Sequence, residues 1–402
     1  MERFALSRMK EWKENENRKP LIIRGARQVG KTWIMKTFGQ QYFEKTAYVN
    51  FDNNARMKQV FEGDLDIERL VLSISAETGV SIEAENTLII FDEVQEVPKA
   101  LTSLKYFYEN APQYAIVAAG SLLGVALHQG TSFPVGKVDF LDLYPLNFRE
   151  FLCAMGEKQF VSMLDSCDTQ MVTVFKTKYI ERLREYYFVG GMPEVVKDFS
   201  EKKDYNRVRA IQKNLINYYQ QDFSKHAEIK LVPRLNLVWN SIPMQLAKEN
   251  KKYIYGQVRE GSRAKDFELA IQWLLDCGLI HKVQRIQKPD LPLKAYIDFD
   301  AFKLFLVDIG LLIAMTDLDA KVIIEGNKIF TEFKGALTEQ YILQQLISDV
   351  GVIPYYYSTQ NSKGEIDFLV QGKTSVIPIE VKAEENLMQS EHQCRIIESR
   401  IG

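Results

Sequence analysis

The stretch that most constrains this chain is LIIRGARQVGKT at positions 21–32. Three apolar residues lead into a loop that opens with Gly25 and closes with Gly30, Lys31 and Thr32, matching G-x-x-x-x-G-K-[ST]. An apolar strand precedes the loop and a helix-compatible run, WIMKTFGQQY, follows it, as the mechanics of the motif require. Glycine lets the backbone approach a phosphate closely, successive N–H groups turn inward around it, and the helix N-terminus adds a favourable dipole. The segment Gly25, Ala26, Arg27, Gln28, Val29, Gly30, Lys31 and Thr32 is therefore expected to bind ATP. Lys31 would reach the β- and γ-oxygens and Thr32 would hold Mg²⁺.

A partner for this loop lies about 60 residues downstream, in TLIIFDEVQEVP at 87–98. Leu88 to Phe91 are four consecutive apolar residues suited to a buried central strand, and they end in Asp92 and Glu93. Strand ends face the site in parallel sheets. Asp92 is expected to organise the Mg²⁺, and Glu93 to orient or deprotonate the attacking water, because phosphoryl transfer asks the protein mainly for positioning and electrostatics. A further strand, YAIVAAGS at 114–121, ends in Ser121. Its hydroxyl can bond the γ-phosphate or the water, and it can equally cap the helix that LLGVALHQ suggests.

Length and composition set the frame. With 402 residues the chain exceeds what one hydrophobic core usually supports, so several domains are expected. Lys+Arg (51) nearly balance Asp+Glu (53), which argues against a wholly basic nucleic-acid binder while leaving room for a local patch. The N-terminus is charged from its second residue and lacks a signal-peptide core, and the greasiest run, FKLFLVDIGLLIAM at 302–315, is too short to span a bilayer. Four scattered cysteines without CxxC spacing and four unclustered histidines speak against disulfides or structural zinc. A cytoplasmic location without membrane contact is the expectation.

The order of patterns divides the chain. From about residue 20 to 120, short apolar runs alternate with helical stretches, the signature of a parallel sheet covered by helices. Residues 150–220 read as helices, interrupted by FVGGMPEVV at 188–196. Leu235, Val238, Trp239 and Ile242, then Phe267, Ala270, Ile271 and Leu274, recur at i, i+3, i+4, i+7 and predict two amphipathic helices. The runs IHKVQRI and KAYIDFD, joined by QKPDLPL, predict a hairpin after them, so this region resembles a winged helix.

The C-terminal part raises a second question of chemistry. In GEIDFLV (364–370) and SVIPIEVKA (375–383), strand alternation turns Asp367 away from Ile366 and Phe368, and gives Glu380 and Lys382 one common face. The spacing D-x₁₂-E-x-K resembles the PD-(D/E)xK nuclease core, where two carboxylates hold Mg²⁺ and the lysine activates water or stabilises the scissile phosphate. Asp367 and Glu380 are then the expected metal ligands. Glu339 falls three and four residues from Ala336 and Leu343, on the apolar side of the helix GALTEQYILQQLI, where an unpaired carboxylate would be costly. After Asn386 no convincing strand pattern follows, so the chain looks short for this fold.

Taken in order, RGARQVGKTW, LIIFDEVQEVP, AAGSLLG, FPVGKVDFLDLYPLNFREFL and YYFVGGMPEVV resemble the AAA-type ATPases of prokaryotes that carry a C-terminal domain of unknown function with a nuclease-like fold. The resemblance runs over nearly the whole chain. It implies a multidomain α/β protein: a P-loop NTPase parallel sheet (1–155), a helical lid (156–204), a winged-helix-like region (205–320) and a small nuclease-like α/β domain (321–402). It also implies that Gly25 to Thr32 bind ATP, that Asp92 and Glu93 are the Mg²⁺ and hydrolysis pair, and that Ser121 is a first sensor. Family members commonly carry arginine after the glycine of FPVGKV, where this chain has Lys137, a point-like ammonium in place of a bidentate fork. Arg149 is another residue that could act on a neighbouring subunit, although an exposed arginine next to Glu150 is more often part of a surface ion pair. The expected function is ATP hydrolysis with Mg²⁺, coupled to a domain that acts on or recognises nucleic acid such as DNA. The alternative is an ATP-driven regulator that binds protein partners or its own copies and whose C-terminal carboxylates are not catalytic.

Overall fold

The computed structural model describes residues 2–120, 134–248, 251–325, 331–359 and 364–382. Its described residues divide into two compact units, one formed by those within 2–144 together with 276–278, the other by those within 145–275 and 279–382.

In the first unit, helix α1 (Ala5–Glu14) precedes strand β1 (Leu21–Arg24), the glycine loop and helix α2 (Lys31–Tyr42). Strand β2 (Lys45–Asn50), helices α3 (Ala55–Glu62) and α4 (Ile67–Thr78), strand β3 (Thr87–Asp92), helix α5 (Pro98–Asn110) and strands β4 (Ala115–Ala119) and β5 (Asp139–Asp142) follow. The strands form one parallel sheet in the order β2-β3-β4-β1-β5. β3 and β4 are buried along their whole length, which is why they read as unbroken apolar runs. Phe51, Phe61 and Phe91 meet edge to face at 5.4–5.6 Å in its core. The chain runs from β1 out to β2 and returns through β3 and β4 to β1's side, so β4 separates the loop strand from the acidic strand. Such a reversal opens a crevice at the strands' carboxyl ends.

The second unit begins with helices α6 (Phe148–Ala154), α7 (Lys176–Val189), α8 (Pro193–Lys202) and α9 (Tyr205–His226), and continues with α10 (Val232–Leu246) and α11 (Ala264–Asp276), whose last residue groups with the first unit. The periodic apolar residues of α10 and α11 are buried, and Trp239 and Trp273 both meet Phe223 edge on at 6.0 and 5.4 Å. Strands β6 (Ile280–Ile286) and β7 (Ile297–Leu306) form the expected hairpin. Helices α12 (Ile309–Met315) and α13 (Thr331–Gln345) and strands β8 (Tyr355–Ser358), β9 (Glu365–Gln371) and β10 (Val376–Ile379) complete the unit. The hairpin is not a free wing: β6 pairs in parallel with β8, giving a single sheet in the order β10-β9-β8-β6-β7. Strands assigned by sequence to two domains thus share one sheet.

The apolar run 302–315 is divided between β7 and α12, both buried, and among the described residues no helix is long and apolar enough to cross a membrane. The Gly-Gly break has an equally local cause. Asp308, fully buried, caps α12 through the Leu311 N–H (3.1 Å) and accepts the Gly191 N–H at 2.6 Å. A Cβ on Gly190 would sit 2.2 Å from that carboxylate, and one on Gly191 would lie 2.1 Å from the Leu146 carbonyl oxygen. Burial raises the Asp308 pKa to about 6, against the pull of its backbone N–H donors. From α13, Gln340 accepts from the Leu306 N–H and donates to its carbonyl, and Gln344 accepts from the Ile309 N–H.

Candidate functional site

The loop between β1 and α2 has the backbone that its glycines permit. Gly25 (φ +145°), Gln28 (φ +64°) and Gly30 (φ +95°) all take positive φ, and this alternation with ordinary residues turns amide groups into a concavity. Gly25 also tolerates no side chain, because a Cβ there would lie 2.1 Å from the Leu143 carbonyl oxygen. Arg3 braces the loop from behind, donating to the Val29 carbonyl at 3.1 Å and to the Tyr144 carbonyl at 2.6 Å. The Asp276–Gly278 turn, grouped with this unit, also comes close: a Cβ on Gly278 would sit 3.2 Å from the Ala26 nitrogen.

Lys31 opens α2 and is 7% exposed. Its ammonium donates to the carbonyls of Gly25 (2.8 Å) and Ala26 (2.7 Å), two dipoles of its own loop. Burial lowers its pKa to about 8, against the opposing charges of Glu93 and Asp92. This cation lacks full compensation, and an anion seated in the loop would supply it.

Thr32 and Asp92, the two residues expected to hold Mg²⁺, lie side by side. The threonine Oγ1 donates to Asp92 Oδ2 at 2.7 Å, across 60 residues of chain. The Tyr48 hydroxyl from β2 donates to the same oxygen at 2.8 Å, and the Lys36 ammonium lies 3.8 Å from the centre of that phenol ring. Burial and the bond to Asp92 push the Tyr48 hydroxyl well above its ordinary pKa, so it remains a donor. A hydroxyl and a carboxylate oxygen converging at a helix N-terminus fit Mg²⁺, which takes one or two protein oxygens and fills its octahedron with phosphate and water. Glu93 leaves the strand in a left-handed conformation (φ +51°), sparsely populated by non-glycine residues, and accepts from the Gln95 amide at 2.6 Å. Its backbone strain lies where the acidic pair turns out of the sheet. Ser121 falls outside the described residues.

Neither residue considered for reaching a neighbouring subunit is bare. Lys137 pairs with Glu109 at 3.0 Å, and Arg149 bonds Asp349 at 3.0 Å and also pairs with Asp165. Glu150, its neighbour, instead completes a capping box with Asn147 at the start of α6.

In the second unit the four expected residues divide into two pairs. Glu339, 4% exposed, pairs with Lys251 and with Lys303 (3.4 Å), and its charge reaches Asp367. Burial and that neighbouring carboxylate raise the Asp367 pKa to about 6. Glu380 and Lys382 pair with each other at 3.5 Å with largely exposed side chains. They were expected on a strand, but β10 ends at Ile379, because the Val381 N–H is spent on Asp367 Oδ2 (2.7 Å) instead of continuing the ladder. Lys303, 1% exposed, bonds Glu365 at 2.6 Å and lies 4.8 Å from the Tyr356 ring centre. Burial would lower its pKa, yet the charges of Glu339 and Glu365 overturn that and hold it above the ordinary value. Among the described residues no three His, Cys, Asp or Glu side chains gather to hold a metal ion. Around Asp367 the neighbouring carboxylates are already held by ammonium groups, Glu339 by Lys251 and Lys303 and Glu365 by Lys303, and a donor set filled in this way does not fit the Mg²⁺ that the nuclease resemblance implies.

Sequence comparison agrees with the geometry of the first unit. Residues 17–152 match the family described as an AAA domain, residues 180–322 the domain of unknown function DUF8612, and residues 334–397 the domain of unknown function DUF4143. The five-stranded parallel sheet and glycine loop of the N-terminal region have the form of a P-loop NTPase fold, in line with the AAA-domain match over those residues. Among solved structures, the chain is similar to a Walker-type ATPase of Pyrococcus abyssi at 15% identity, TM-score 0.48, over 78% of this chain and 95% of that one. It is also similar to the ORC1 protein of Aeropyrum pernix in complex with DNA (13%, TM-score 0.30, 78% and 91%). The Holliday junction branch migration motor RuvB of Thermotoga maritima matches at 10%, TM-score 0.30, over 69% and 87%. No curated protein matches the chain.

Sequence reasoning missed Arg3, Tyr48, Lys251, Lys303 and Glu365. Tyr48 had the clearest signal, lying in one of the short apolar runs of residues 20–120 and two residues before β2 ends at Asn50.

Proposed function

We propose that the chain is an ATP-hydrolysing switch whose nucleotide cycle is run by Gly25–Thr32, Asp92 and Glu93, and whose second unit is not a metal-dependent nuclease. The observation that carries the reading is the Thr32 Oγ1–Asp92 Oδ2 bond at the mouth of the glycine loop. Backbone amides of the loop would bind the β-phosphate, and Lys31 would leave its two carbonyls to neutralise the β- and γ-oxygens. Thr32 and Asp92 would hold Mg²⁺, which when bound offsets charge on the phosphates. Glu93 would orient water or accept its proton, with Gln95 fixing the carboxylate's direction. Ser121, following β4, is assigned the sensor role on the family resemblance.

For the second unit, the network that ties buried Lys303 and Glu339 to Glu365 and Asp367 favours the regulatory reading, in which nucleotide turnover changes how the unit engages a partner. The lid, winged-helix-like and C-terminal segments remain the working divisions, with β6 and β7 joined to β8–β10. The test is a pair of variants. Lys31→Ala is expected to abolish nucleotide binding, and Glu93→Gln to retain bound ATP without turnover. Steady hydrolysis by the Glu93 variant would remove that residue from its role. ATPase rate with and without DNA and RNA then asks whether nucleic acid is the partner, since stimulation requires coupling between the two activities.

A further inference from the structure

A pair of buried carboxylates needs compensating positive charge, and in a two-carboxylate magnesium site the metal supplies it. In this chain the compensation comes from lysine. We propose that the Lys303 ammonium occupies the cation position among Glu339, Glu365 and Asp367, so that the C-terminal cluster is a closed ion-pair tie that admits no divalent metal through Asp367. This deepens the reading of the second unit as non-catalytic and rests on it.

Four observations carry the proposal. Lys303 reaches Glu365 at 2.6 Å and Glu339 at 3.4 Å, and Asp367 contributes to its electrostatic environment. A second ammonium, Lys251, takes the other Glu339 oxygen, so both oxygens of that carboxylate are occupied by cations. One Asp367 oxygen is held by the Val381 N–H at 2.7 Å. The remaining expected ligand, Glu380, lies beyond the end of β10, paired with Lys382.

Charge arithmetic leads the same way. Two lysines against Glu339, Glu365 and Asp367 give 2 − 3 = −1 when every group is ionised. A divalent cation would turn this into +1 in an interior where Lys303 is 1% exposed. Lys303 would then have to leave, and it rises from the middle of β7, flanked by buried Phe302 and Leu304. Entry of metal is thus opposed by both charge and packing. The tie also joins three elements distant in sequence: β7 through Lys303, α13 through Glu339, and β9 through Glu365 and Asp367.

The test is Mn²⁺ titration of the nucleotide-free full chain, with free ion followed by electron paramagnetic resonance, on wild type and Asp367→Asn. The two proteins are expected to retain the same amount of Mn²⁺. Lys303→Met, if folded by circular dichroism, is expected to gain one Mn²⁺ site that Lys303→Met/Asp367→Asn loses. Wild-type binding that Asp367→Asn removes would overturn the proposal, as would a folded Lys303→Met protein that gains no site. If Lys303→Met does not fold, the comparison of wild type with Asp367→Asn decides alone. ATP hydrolysis read in parallel separates this outcome from failure of the nucleotide-site reading, because Asp367→Asn leaves Lys31, Asp92 and Glu93 untouched.

Discussion

Lys31 and Lys303 are both buried ammonium groups beside acidic side chains, and their pKa values move in opposite directions. Lys31 bonds only carbonyl dipoles, with Asp92 and Glu93 acting on it through space, and burial wins. Lys303 is in direct ion-pair contact with two carboxylates, and they win. On the proposed function, the difference separates a site kept ready for an anion from a site already complete. Burial and carboxylate neighbours are common to both, so neither feature alone marks a binding site; the unmet charge does.

The largest expected effect breaks the comparison at its core. Lys303→Ala leaves Glu339 and Glu365 short of their buried counter-charge and should cost about 3–5 kcal/mol of stability, read from denaturant unfolding. Lys31→Ala removes an ill-compensated cation and should leave the melting temperature of the free protein unchanged or raised. Equal losses from both variants would erase the distinction.

The next effect sharpens it through pH. In the free protein the burial of charged Lys31 costs stability in full below its pKa of about 8, and the cost fades as pH rises toward the ordinary value. A bound phosphate favours the charged form, so the pKa rises on binding and the complex takes up a proton. Calorimetry in buffers of different ionisation heat should find this uptake growing between roughly pH 7 and roughly pH 9, with affinity falling over the same range. No uptake in that window would mean that Lys31 is already charged in the free protein or does not meet the phosphate.

The smallest effect concerns Tyr48. Tyr48→Phe removes one of the two hydroxyls on Asp92 Oδ2 and should raise the Mg²⁺ concentration needed for half-maximal ATPase by roughly tenfold. Nucleotide binding without Mg²⁺ should stay as in the wild type, which distinguishes a residue that positions Asp92 from one that merely supports the fold.

How legible each region was in the sequence follows from the reach of its interactions. The loop at 25–32 is one continuous segment whose glycines and lysine act on their own backbone, so the pattern contains its geometry. Asp92 was readable because a buried parallel strand is apolar on both faces and makes a terminal acid conspicuous. The C-terminal cluster was only half readable. Its acids follow strand and helix periodicity, but the lysines that close it come from 251 and 303; Lys303 stands out as a charge in the apolar run 302–315, yet nothing local names Glu339 and Glu365 as its partners. Strands β5 and β8 went unrecognised because each is only four residues long, and DFLD and YYYS give too little alternation to register. Asp308 passed as an ordinary charge in a greasy run, since its partner glycines lie 117 residues earlier.

The pairing of β6 with β8 bears on how such a chain can be cut or recombined. The two families of unknown function divide the second sheet between them, one ending at residue 322 and the other beginning at 334. A break at that seam would strip β6 of its β8 neighbour and leave its backbone amides and carbonyls as an open edge, ready to recruit another strand. A chain that carried one half without the other would have to cap that edge by other means or tolerate a sticky one.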